Sequence, residues 1–155
     1  MMAFSVTFLQ SSQYSQNTIQ AANGILALSE NDLKKSPVRF LVSGWEFYPD
    51  ALLTPEEIQD SDHYMRYLSI GEMSNFSSSA DSSPYGCGTY RMTFFLPERK
   101  EAYAIELPEV FSSYTLYLDH DRILQLGDPE QRIPLVQNRM VTFYGGKPVT
   151  LTIAV

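Results

Sequence analysis

The sequence is poor in the residues that most often carry chemistry. It has one cysteine, Cys87, and two histidines, His63 and His120, in 155 residues. A lone cysteine excludes an internal disulfide and any Cys-rich zinc site. A cysteine nucleophile needs a nearby histidine and a partner that lowers its pKa, and neither histidine is adjacent to Cys87 in sequence. Basic residues are also scarce: 11 Lys+Arg against 18 Asp+Glu leave a formal charge of −7. That balance argues against a nucleic-acid binder, which presents a basic face to phosphates. It argues equally against docking on anionic lipid. No apolar run approaches the roughly 20 residues that cross a bilayer as a helix. The start, Met1-Met2-Ala3-Phe4, lacks the basic leader and full apolar region of a signal peptide.

Catalytic signatures are missing too. There is no Gly-x-Ser-x-Gly elbow, no phosphate-cradling glycine loop with Lys-Ser/Thr, and no His-Glu-x-x-His pair. Glycoside hydrolysis needs two opposed carboxylates in a cleft. Glu106 and Glu109 are close in sequence, but Glu106 is on the outward phase of its strand and Glu109 follows a proline. Asp119-His120-Asp121 reads as a tight turn whose aspartates bond their own backbone, and Asp60, Asp62 and His63 as a solvated loop. Neither is taken as a metal site. The expectation is a protein that is not an enzyme and uses no cofactor.

What the sequence does have is apolar and aromatic content, at 44% and 13%. A chain of this length buries roughly 70% of its unfolded surface, so one domain with one core is expected. The strongest local pattern is period-two alternation. From Thr89 to Leu96, Tyr90, Met92, Phe94 and Leu96 share one face, while Arg91, Thr93 and Phe95 share the other. Ala102–Leu107, Ser113–Asp119 and Thr150–Val155 repeat the pattern, and successive strand side chains point to opposite faces. Gly24–Leu28, Val38–Val42, Trp45–Tyr48, Tyr64–Ile70, Ile123–Leu126 and Met140–Phe143 are further strand candidates. Prolines, glycines and the Asp119–Asp121 hairpin punctuate them. One helical turn is signalled at Thr54-Pro55-Glu56-Glu57, with Thr54 as cap and Glu57 completing a capping box. Ser74–Ser83 is Ser/Asp/Asn-rich and reads as a surface loop. The prediction is an all-β antiparallel sandwich of eight or nine strands with one short helix near Thr54–Gln59. Residues 1–16 form an N-terminal extension and 17–155 a single domain. The inward set comprises Trp45, Tyr90, Met92, Phe94, Leu96, Ile105, Leu107, Leu116, Leu118, Leu151 and Ile153.

Several segments together resemble a known family. They are Asn23-Gly24-Ile25-Leu26-Ala27-Leu28, Val42-Ser43-Gly44-Trp45-Glu46-Phe47-Tyr48-Pro49 and Leu52-Leu53-Thr54-Pro55-Glu56. They continue with Gly88-Thr89-Tyr90-Arg91-Met92-Thr93-Phe94-Phe95-Leu96-Pro97, Tyr103–Pro108, Ser113–Asp119 and Leu126-Gly127-Asp128-Pro129. In this order and spacing they resemble the extracellular sensor domain of bacterial seven-transmembrane receptors with diverse intracellular signalling modules. The second half also looks like the jelly-roll sugar-binding domain of β-galactosidase-type glycoside hydrolases, and both are galactose-binding-like sandwiches. The resemblance implies an extracellular or periplasmic module that senses a carbohydrate or other small ligand. Its parent would be a membrane protein, anchored through downstream helices absent from this chain, with an output such as a histidine kinase or a cyclase-type domain. The rival readings are a carbohydrate-binding accessory domain of a glycosidase and a structural interaction sandwich without a small ligand. The sequence departs from the family at Asp119-His120-Asp121, where Asn-Gly is common.

The candidate ligand residues are Arg91, Tyr117, Phe95 and Trp45. A neutral sugar wants an aromatic plate beside planar hydrogen-bonding groups. Arg91, Phe95 and Tyr117 fall on the outward phase, with Arg91 and Tyr117 expected on neighbouring strands of a concave face. Arg91, in the Thr-Tyr-Arg motif, also fits a structural role, holding a carboxylate with its planar fork. Trp45 is in addition counted with the core.

Overall fold

Alternation alone does not say which strands pair, and the pairing is what places the site. The computed structural model describes residues 20–60, 62–70, 86–107, 110–128, 131 and 133–155. The expected extension 1–16, the Ser74–Ser83 loop and Glu109 lie outside these described residues. Within them the elements are β1 Ile25–Ala27, α1 Glu30–Lys35, β2 Trp45–Pro49, α2 Pro55–Asp60 and β3 Arg66–Leu68. The chain continues through β4 Gly88–Phe95, β5 Tyr103–Leu107, β6 Tyr114–Leu118, β7 Asp121–Leu126, β8 Arg139–Phe143 and β9 Val149–Ala154.

The strands form two sheets. The larger runs in the order β3-β2-β4-β9-β6-β7, with β1 added to β4; the smaller is β5-β8. All pairings are antiparallel except β1 with β4. The chain changes sheet between β4 and β5, β5 and β6, β7 and β8, and β8 and β9. This alternate placement is that of a double-sheet jelly roll. The fold is therefore an all-β sandwich, as the period-two runs require.

The register explains the core. Tyr90 lies opposite Ile153, Met92 opposite Leu151 and Phe94 opposite Val149, while Leu116 and Leu118 face the same β9 residues from the other side. Leu107 from β5 and Val141 and Phe143 from β8 complete the cluster, with the Phe94 and Phe143 rings 5.8 Å apart. Six of the expected inward residues, Trp45, Met92, Phe94, Leu107, Leu116 and Leu151, are buried. The other five, Tyr90, Leu96, Ile105, Leu118 and Ile153, pack half-buried against them. Burying each large apolar side chain contributes about 1.5–3 kcal/mol.

Two readings need correction. Val38–Val42 forms no strand. The Arg39 guanidinium donates to the Asp32 carbonyl at 2.9 Å, which draws this stretch onto α1, and the Val42 carbonyl accepts from Ile70 N–H at 2.6 Å. Among the described residues there are also two short helices, not one. Ser29 caps α1 by a reciprocal box with Asp32, and the Glu30 carboxylate is gripped at both oxygens by Arg99, at 2.9 and 2.6 Å. The expected helix forms as α2. Thr54 N–H donates to Glu57 Oε2 at 2.8 Å and Glu57 N–H returns to Thr54 Oγ1 at 3.3 Å.

The segment before α2 lies on the outer face of the large sheet. Thr89 Oγ1 accepts from Leu53 N–H at 2.9 Å and donates to the Ala51 carbonyl at 2.8 Å. At the other end His120, in the β6–β7 turn, meets Glu56 of α2 at 2.9 Å. One end of that face is thus covered; farther along it Tyr67 and Phe95 stand exposed, while Thr152 is fully buried.

Candidate ligand-binding face

Residues directly opposed on paired strands project from the same face. Reading the ladders across the large sheet gives one continuous row. Tyr67 of β3 is opposite Glu46 of β2, and Glu46 is opposite Arg91 of β4. Arg91 is opposite Thr152 of β9, and Thr152 is opposite Tyr117 of β6. Tyr117 is opposite Arg122 of β7. The last step depends on an irregularity. The β6–β7 register shifts after Leu116, so Arg122 and not Ile123 lies across from Tyr117. A bulge of this kind re-aims one side chain without breaking the sheet.

An ion pair and a phenol fix the middle of the row. Arg91 Nη1 lies 3.3 Å from Glu46 Oε2, and both side chains are partly buried. The Tyr48 hydroxyl donates to the same oxygen at 3.2 Å. Burial, and after it the Glu46 charge, holds the Tyr48 hydroxyl above the usual phenol range, while the neighbouring Arg91 pulls the other way. Gly24 makes room for this carboxylate: a Cβ there would sit 2.5 Å from Glu46 Oε1, and its φ of 73° suits glycine.

Beyond Arg91, Thr152 is completely buried, and its hydroxyl has no hydrogen-bond partner among the described residues. Tyr117 is half-buried. Its phenol is pushed up by burial first, with Arg122 opposing and the Glu57 and Glu56 carboxylates of α2 adding to the rise. On the open side, Thr93 and Thr150 join hydroxyls at 3.0 Å, and Phe95 stands 44% exposed.

Three of the four candidates therefore share one face: Arg91, Tyr117 and Phe95. Arg91 and Tyr117 are not on neighbouring strands, however. β9 enters between β4 and β6 and places Thr152 between them. The carboxylate that Arg91 holds belongs to the next strand. Trp45 is corrected outright. It is 3% exposed, lies on the opposite phase of β2, meets Tyr90 edge-on at 6.2 Å, and its indole N–H donates to the Leu41 carbonyl at 2.9 Å. With its polar edge satisfied and its ring in the core, it has nothing to offer a ligand. Sequence reasoning missed Tyr67, Glu46 and Thr152 as members of the row. Their outward phase was readable; their alignment depends on pairing across distant segments.

Asp119 takes a φ of 54°. Its Oδ1 accepts from Thr150 N–H at 2.8 Å, so it ties the hairpin to β9 instead of bonding its own backbone. Among the described residues, no three His, Cys, Asp or Glu side chains come together as metal ligands. Among them, too, no helix is long and apolar enough to cross a membrane. The row itself offers planar donors and acceptors held in place, with an aromatic ring on either side. That arrangement suits non-covalent recognition of a polar ligand with an apolar face.

No protein-family model matches the chain, and no curated protein matches it significantly. Among solved structures it is similar to a β-glucuronidase from Ruminococcus gnavus in complex with D-glucaro 1,5-lactone. The TM-score is 0.45 at 13% sequence identity, over 86% of this chain and 23% of that one.

Proposed function

We propose that this chain is a non-catalytic recognition module that binds a neutral carbohydrate, or a small polar ligand of like shape, on the outer face of its large sheet. The observation that carries the reading is the row itself: Arg91, held by Glu46, and Tyr117, two strands away, share one face. A sugar ring stacks its C–H face on a phenol while its hydroxyls engage planar groups beside it. Arg91 and Glu46 balance each other's charge, which favours a neutral ligand over an ionic one. A sheet face buries less of a ligand than an enclosed pocket, so the affinity is weak. Following the family resemblance, the module serves an extracellular or periplasmic sensor of a membrane receptor.

Calorimetric titration against a panel of neutral glycans tests the binding reading. The wild type binds at least one member, and Arg91→Ala and Tyr117→Ala each weaken it about tenfold or more, roughly 1.4 kcal/mol. Wild-type binding left intact in both variants would place the ligand elsewhere. The receptor reading is tested by the sequence that follows this chain in its gene. Membrane helices there support it, and a catalytic barrel there replaces it with the accessory domain of a glycosidase.

A further inference from the structure

The row does not stop at Arg91. It continues through Glu46 to Tyr67 on β3, an edge strand of the large sheet. Tyr67 is 49% exposed on the ligand-facing side. Tyr67 and Tyr117 are thus two aromatic plates on one face, with Glu46, Arg91 and Thr152 between them. They are separated by four strand steps, about 19 Å at the usual spacing between neighbouring strands. That is several times the breadth of one pyranose ring, so no monosaccharide touches both. The groups between the plates are an internally neutralised ion pair and a buried hydroxyl. The ion pair offers hydrogen bonds along the way and no net charge.

Building on the carbohydrate reading above, we propose that the ligand is a linear neutral oligosaccharide laid across the strands, with one sugar stacked on Tyr117 and a distant one on Tyr67. Two weak stacking sites joined by one chain act together, because the second contact forms at high effective concentration once the first is made. A long oligomer therefore gains affinity that a short one cannot.

The test is calorimetry with malto-, cello- and xylo-oligosaccharides of increasing length, from the monosaccharide to the hexasaccharide, on the wild type, Tyr67→Ala and Tyr67→Trp. In the series that binds, wild-type affinity rises about tenfold or more between the disaccharide and the longest oligomers. Tyr67→Ala abolishes that rise, so the longest oligomers lose far more affinity than the disaccharide, whereas Tyr67→Trp keeps the rise. Affinity independent of length, or an equal loss at every length in Tyr67→Ala, overturns the extended site but leaves the carbohydrate reading standing. Failure of all three series to bind the wild type removes that reading, and this inference with it.

Discussion

Two buried hydroxyls are the least comfortable residues in the fold. Tyr114 and Thr152 are both completely buried, and neither hydroxyl has a partner among the described residues. A buried polar group without a hydrogen bond costs about 1–3 kcal/mol. Tyr114→Phe and Thr152→Val should therefore leave stability unchanged or raise it by about 1 kcal/mol, read from urea midpoints. A loss of more than that in either variant would reveal a partner for its hydroxyl. Tyrosines also set the alkaline limit. Burial is the leading cause that raises the phenols of Tyr48, Tyr90, Tyr114 and Tyr117. The folded chain thus favours their neutral form. That stability is fully present below the unfolded phenol value of about 10 and is lost as pH climbs through the raised folded values. Denaturation midpoints should be flat near neutrality and fall above about pH 10, and phenolate absorbance should appear together with unfolding. Full tyrosine ionisation in the still-folded protein would contradict this.

At the scale of the element, the strands and helices differ in how plainly the sequence announces them. β4 is legible because its residues alternate without interruption, and of its inward phase Met92 and Phe94 are buried and Tyr90 half-buried. Phe94→Ala should cost about 3–5 kcal/mol, as for other large core residues. An unchanged midpoint would mean that the phase is wrong. α2 is legible from its capping box, and Thr54→Ala should cost about 1 kcal/mol by releasing that end, measured in the same way. α1 is harder to see, because only Leu33 of its six residues is buried; the one signal was Ser29 and Asp32 at capping-box spacing. Val38–Val42 misleads because its apolar residues look strand-like, while Pro37 and the Arg39 contact to α1 set its course. The site was legible residue by residue, since outward phase is a local property. Its assembly was not. Which residues align depends on β9 joining β4 and β6, and on the register shift that brings Arg122 to Tyr117.

At the scale of the molecule, the two layers are unequal, seven strands against two among the described residues. The larger sheet supplies both the core face and the candidate site, so mutations in its middle strands can disturb stability and binding together. A variant of Arg91 or Tyr117 is informative about binding only if its unfolding midpoint matches the wild type. The middle of that sheet has a further consequence. β9, the last of the described strands, lies between β4 and β6 and hydrogen-bonds to both along most of its length. During synthesis the β6–β7 hairpin emerges before β9 and has no sheet to join. The nascent chain must therefore wait, its apolar strand faces unsealed, until β9 itself has left the ribosome. Folding of such a chain is slow and late, because its decisive contacts link segments far apart in sequence. A truncated chain ending before Val149 should show no cooperative unfolding transition and should aggregate, whereas the same segment added back as a separate peptide should restore a transition.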